Sequence, residues 1–217
     1  MRLSNRIVPI LFAMSLATVS AIRANTIYDV TIDNHLLDPN VPVAAAFALI
    51  SGGGPVTNMA IVSGIGFGGG FAGVGCPAVV QPCSQGATGD LTSSIVLDDT
   101  PGYSQFVENL FPGNTLTFHL DLTTNAPNGP GSFPDQFIFA LLSSDGIPLA
   151  GADPVTGSYF FVQLDSANPT VQVFSADTTV NQVATVPEPG SLTLLAIGAA
   201  LSGVGLIGRK SGGSSRT

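Results

Sequence analysis

The chain has no tryptophan, and its central body has no positive charge. All six basic residues lie near the two ends, at Arg2, Arg6, Arg23, Arg209, Lys210 and Arg216. Residues 25–187 contain no Lys or Arg but hold twelve Asp and one Glu, Glu108, so the body carries about −13 against −8 for the whole chain. Binding to nucleic acid draws its affinity from Lys and Arg that neutralise phosphates and release counterions. Without them, nucleic acids, heparin-like polyanions and anionic lipid surfaces are poor partners. An Asp-rich surface keeps a protein soluble through self-repulsion and attracts divalent cations. An acidic polysaccharide would be held only through a divalent cation bridging Asp carboxylates to sugar acids.

Residues that carry chemistry are also scarce. His35 and His119 are the two histidines. His119 falls on the polar face of an alternating segment, two residues from Asp121 and on the same side, but no Ser sits in a Gly-x-Ser-x-Gly setting that would supply a nucleophile. Asp98-Asp99 is a pair of carboxylates. Neighbours on a strand point to opposite faces, whereas a glycosidase needs its two carboxylates facing across a cleft. No tryptophan offers a sugar platform. Asp and Asn in loops suit a hard cation, yet no Asp-x-Asp-x-Asp-Gly loop is present. Gly64-x-Gly66-x-x-Gly69 matches a dinucleotide fingerprint only superficially, because glycine continues beyond it and no helix opens after it. No catalytic residue, cofactor site or metal ligand is assigned.

Two cysteines, Cys76 and Cys83, bracket Pro-Ala-Val-Val-Gln-Pro. In an exported protein such a pair defaults to a disulfide. Closing this short loop would stabilise the fold by roughly 2–3 kcal/mol on the chain-entropy account. Six intervening residues are too many for the usual redox pair, and two Cys are too few for zinc.

What the body does contain is strand pattern. Residues 26–33 alternate, with Tyr28, Val30 and Ile32 on one face and Asp29, Thr31 and Asp33 on the other. Residues 115–122 repeat this, with Leu116, Phe118, Leu120 and Leu122 inward and Thr117, His119 and Asp121 outward. Further strands are expected at 43–50, 56–62, 94–98, 136–142, 159–165 and 170–174, separated by Gly, Pro, Asn and Asp turns such as 51–55, 125–131 and Asp145-Gly146. Residues 99–110, with Tyr103, Phe106, Val107 and Leu110 at mixed spacing, read as one short helix. The expected fold is all-β, an antiparallel, jelly-roll-like β-sandwich.

The ends are address labels. Arg2 and Arg6 precede an apolar run over 7–21 and small residues, the layout of a secretory signal with cleavage after Ala21 or Ala24. Near the other end, Val186-Pro187-Glu188-Pro189-Gly190 opens an uncharged stretch over 190–208, followed by Arg209-Lys210. That stretch is close to the minimum that spans about 30 Å of hydrocarbon at 1.5 Å per residue. The basic pair would stay cytoplasmic and the body outside.

Residues 185–210 resemble the PEP-CTERM sorting domain of exopolysaccharide-producing Gram-negative bacteria. The resemblance implies that Pro187, Glu188 and Pro189 are the recognition motif of an exosortase, a membrane cysteine peptidase. It implies a transient anchor over 190–208 and a membrane stop at Arg209 and Lys210. The tail 211–217 departs from the many members that end soon after the basic cluster. The body is similar to a PEP-CTERM protein family without assigned activity, through 28–33, the glycine-rich middle, 113–118, 137–141 with Asp145-Gly146, and 171–174. Residues 1–24 are thus expected to be a signal peptide, 25–184 a β-sandwich body and 185–210 the sorting segment. The functional expectation is an exported, non-enzymatic protein of the cell surface or extracellular matrix, associated with exopolysaccharide or biofilm. The alternative is a carbohydrate- or calcium-dependent binding module on the same sandwich, and a third reading is an exported hydrolase.

Overall fold

A computed structural model describes residues 24–53, 57–124, 133–164 and 169–187. They form two antiparallel sheets that close on one core, the all-β sandwich expected from the alternation. The first sheet contains β1 (Ala24–Asp33), β3 (Met59–Gly66), β6 (Ala87–Gly89), β7 (Ser94–Asp98), β9 (Thr115–Thr124) and β13 (Thr178–Pro187), ordered β13-β1-β9-β3-β7-β6. The second contains β2 (Val43–Ile50), β4 (Phe71–Ala72), β8 (Tyr103–Phe111), β10 (Asp135–Leu142), β11 (Phe160–Leu164) and β12 (Thr170–Val173), ordered β12-β11-β10-β2-β8-β4, with the short β5 (Ser84–Gln85) also on β8. No helix among the described residues is long and apolar enough to cross a membrane. The signal segment and the apolar stretch 190–208 lie outside the described residues.

The two clearest alternations become central strands. β1 pairs with β9 from Ala24↔Thr124 to Asp33↔Thr115, which aligns their inward rows. Tyr28, Val30 and Ile32 lie opposite Leu120, Phe118 and Leu116, all buried, and Leu122 continues the row opposite the buried Thr26. Phe118 is the first sheet's contribution to an aromatic cluster otherwise drawn from the second. Its ring lies 5.5 Å from Phe47 and 5.3 Å from Phe139, and Phe139 lies 5.6 Å from Phe160. Edge, tilted and stacked contacts at these separations add to the burial gain.

Residues 99–110 are not a helix. The stretch turns at 99–102 and then forms β8, paired along its length with β2 from Val43↔Leu110 to Ile50↔Tyr103. Phe106 and Leu110 face the core, while Val107 points outward and is nevertheless buried. That covered outward valine produced the helix-like spacing. Its cover is the cysteine loop. β4 pairs with β8 at Phe111 and Leu110, β5 pairs with it at Phe106 and Gln105, and residues 73–83 bulge out between them. The Val107 amide donates to Cys83 O at 2.7 Å, and the Asn109 amide to Gly75 O at 2.7 Å. At its tip Val79 and Val80 press on Gly146, where a Cβ would sit 2.8 Å from Val79. The loop therefore covers both the free edge of β8 and part of the second sheet's outer face.

Cys76 and Cys83 form a disulfide at the base of this bulge, with Cα atoms 5.5 Å apart. It holds β4 and β5 on one edge, protecting backbone groups that would otherwise be open to pairing with another chain. A Cys76→Ser, Cys83→Ser variant is expected to lose about 2–3 kcal/mol. Hydrogen exchange should show lost protection at the Val107 and Asn109 amides. Unchanged protection at both would mean that the loop holds its place without the covalent link.

β13 was not expected from the sequence. It is an edge strand, and Val180 is the one of its described hydrophobic side chains that packs against the core, while Asn181, Gln182 and Val183 are exposed. It runs antiparallel to β1, since the Asp33 amide bonds Asp177 O, just before β13, at 2.8 Å. The start of β1 and the end of β13 therefore lie at the same end of the sandwich.

Candidate functional site

Among the assigned residues, the disulfide is formed, and Pro187 is the last residue of β13. Glu188, Pro189, Arg209 and Lys210 lie outside the described residues. What the structure does bring together are two carboxylate constellations that depend on cross-strand register.

The first is on the outer face of the first sheet. Asp29 is opposite His119 on β9, and His119 is opposite Ser63 on β3. The row thus reads Asp, His, Ser. Asp29 Oδ1 hydrogen-bonds His119 Nδ1, so the carboxylate that orients this imidazole is Asp29 across the strand pair. Asp121 instead lies in the next row, opposite Ile27 and Ile61. Burial pushes its pKa up, and an Asn25 amide at 3.5 Å pulls the other way. The imidazole lies over Gly64, where a Cβ would fall 2.6 Å from His119 Cδ2, and Gly64 has φ +61°. Only glycine combines that backbone conformation with that close approach. The row copies the order of a catalytic triad without its setting. The His119 and Asp29 side chains are 59% and 48% exposed. Nothing there removes water from a reacting group, and Ser63 makes no hydrogen bond to His119 among the described residues. His35 is tied to its own turn, with Nδ1 2.7 Å from Asp33 Oδ1. Hydrogen bonds from the His35 backbone and ring hold Asp33 below the usual carboxylate range.

The second constellation is buried at the end where β1 begins and β13 ends. Asp98 and Asp99 point opposite ways, as their strand positions require. Asp98 Oδ1 caps the exposed Thr100 turn, accepting its amide at 2.8 Å. Asp99 turns inward and is 2% exposed, beside the fully buried Asp135 that opens β10. Asp99 Oδ1 accepts the Asn58 amide at 2.8 Å. Asp135 Oδ1 accepts the Gly52 amide at 2.5 Å, and Asp135 Oδ2 accepts Asn58 Nδ2 at 2.5 Å. Asp99 Oδ2 is buried without a hydrogen-bond acceptor role among the described residues. The Asp99 and Asp135 carboxyls lie against each other, so a proton on Asp99 lets the pair hydrogen-bond. Burial first, and the facing Asp135 carboxyl second, push the Asp99 pKa up to about 7. With no Lys or Arg between residues 25 and 187, no basic side chain of the body can balance this charge.

Calcium does not fit these residues. It takes about six to eight oxygen ligands, and three of the four carboxylate oxygens here already accept N–H bonds. Among the described residues no three His, Cys, Asp or Glu gather into a metal-holding group. A solvent-open hollow lined by Pro148, Leu149, Ala152 and the 153–157 turn contains one carboxylate, Asp153. That carboxylate is occupied in accepting the Thr156 amide at 2.8 Å.

No protein-family model, curated protein or solved structure matches the chain.

Proposed function

We propose that this chain is an exported, non-enzymatic protein of the cell surface or extracellular matrix of a Gram-negative bacterium, delivered by an exosortase and associated with exopolysaccharide. The observation that carries the reading is Pro187-Glu188-Pro189 with its apolar stretch and Arg209-Lys210, in a chain that opens with a signal-like segment. The body's organisation supports it. β13 ends at Pro187, so a cut just beyond that residue removes none of the described strands. Its end and the start of β1 share one end of the sandwich. The disulfide suits an oxidising compartment. Asp29 and His119 are half-exposed, and three of the four carboxylate oxygens of Asp99 and Asp135 are taken up in accepting N–H bonds.

The mature surface form is expected to lack residues beyond about Pro189. Intact-mass analysis of protein extracted from the cell surface, in exosortase-positive and exosortase-deleted hosts, checks this. A surface form retaining Arg209 and Lys210 in both hosts would make the segment a plain anchor and defeat the sorting reading.

A further inference from the structure

The sandwich has two outer faces of different character. The first sheet carries Asp29, Asp33, Asp98 and Asp121 outward. The outward positions of the second sheet carry no charge at all, although the body holds thirteen carboxylates. The cysteine loop covers one half of that neutral face, burying Val107 and Ala44. The other half has no such cover among the described residues and is crossed by two adjacent rows. One runs Tyr103–Ile50–Gln136–Gln163, and the next runs Gln105–Ala48–Ile138–Phe161–Gln172.

We propose that this half-face binds a neutral polysaccharide chain lying across the strands. Its chemistry has three parts. Small aliphatic side chains, Ala48 and Ile138, form a flat floor that a polymer can approach closely. Phe161, half-buried and tilted against the exposed Phe174 at 5.4 Å, offers an apolar surface to the C–H face of a sugar ring. Around them stand amides, each both a donor and an acceptor, as a sugar hydroxyl is. Those of Gln136, Gln163 and Gln172 make no hydrogen bond to other described residues, while Gln105 accepts from the Tyr103 hydroxyl. The occupant must be neutral. An anionic polymer meets the net charge of the body with no cation to receive it. A basic protein partner would be drawn to the acidic opposite face.

This deepens the matrix-association reading and rests on it only in naming a polysaccharide as partner; it is independent of sorting. The test is native affinity electrophoresis of the full-length protein in a non-glycosidic detergent. The gels contain hydroxyethylcellulose, galactomannan or dextran as neutral probes, or alginate as an anionic one, with and without EDTA. At least one neutral polymer should retard the protein, equally in EDTA and in high salt, and alginate in EDTA should not. Phe161→Ala and Gln136→Ala should each weaken the interaction about tenfold, while Asp29→Asn on the opposite face leaves it unchanged. Retardation by no neutral polymer would overturn the proposal, as would wild-type binding by both face variants. A concentration-dependent dimer abolished by Phe161→Ala would give the face to a second copy instead. Neutral-polymer binding without retention in the host's own matrix would leave the face standing and defeat the matrix reading. Matrix retention untouched by the face variants would do the reverse.

Discussion

The stability of this protein against thermal unfolding should fall as pH rises from about 4 to about 7, and Asp99→Asn should abolish most of that loss. Asp99 is 2% exposed, and burial and the facing Asp135 hold its pKa at about 7, against 3.8 for the unstructured residue. Below about pH 4 the proton is on Asp99 in folded and unfolded chains alike, and its contribution is fully present. Between about 4 and 7 the folded chain keeps a proton that the unfolded chain has released. Each rise in pH then favours unfolding by up to about 1.4 kcal/mol per unit. Above about 7 the folded chain must bury the charge, and the contribution is gone. The whole effect is on the order of 2–4 kcal/mol. Burial also raises the pKa of Glu108, whose carboxylate accepts the Leu91 amide at 2.8 Å, so it acts in the same direction.

An asparagine at position 99 reproduces the protonated state. Its oxygen can accept the Asn58 amide and its NH2 can donate to Asp135. The variant should therefore be about 2–4 kcal/mol more stable than the wild type at about pH 8, and nearly equal to it at about pH 4. Melting curves across that range decide the matter. Parallel pH profiles for the two proteins would refute the assignment of the proton to Asp99. A wild-type melting temperature raised by calcium at about pH 8, with none in the variant, would assign the charge balance to an ion.

The same pair shows where sequence reading stops. Alternation along one strand is local, so β1 and β9 could be read residue by residue: Tyr28, Val30, Ile32 and Phe118 are apolar because one face meets the core. It also placed Asp98 and Asp99 on opposite faces. What it lacks is register between strands far apart in sequence. Asp29 meets His119 across 90 positions and Asn58 meets Asp135 across 77. No local pattern marks either. β8 was misread because a loop from elsewhere buries Val107, which put an apolar residue on a face that alternation expects to be polar. β13 was missed for the opposite reason, since an edge strand buries too little to need a pattern. The neutral half-face was equally hidden. Gln136, Gln163, Gln105 and Gln172 belong to four strands and become neighbours only through sheet order. The proposed sorting motif is the converse case, since a peptidase that recognises it would read it as sequence.

Phe118→Ala should be among the most damaging single changes in the body, at a cost of about 3–5 kcal/mol. Phe118 is 2% exposed, and it is the one aromatic of the first sheet that touches the cluster formed by Phe47, Phe139 and Phe160. Removing its ring loses the transfer energy of the buried atoms. It also leaves a cavity that cannot collapse easily, because the strands on either side are held by their own ladders. At about 2–4 °C per kcal/mol for a domain of this size, the melting temperature should fall by roughly 6–20 °C. Phe118→Leu keeps most of the volume and should cost much less. Phe161→Ala supplies the contrast that ties stability to function. Its ring is half-buried on the outer face of the other sheet, so its loss should lower the melting temperature less than that of Phe118 while weakening polysaccharide binding. A Phe161→Ala protein as unstable as Phe118→Ala would mean that the outer ring is structural, and any affinity of the face would then rest on its glutamines alone.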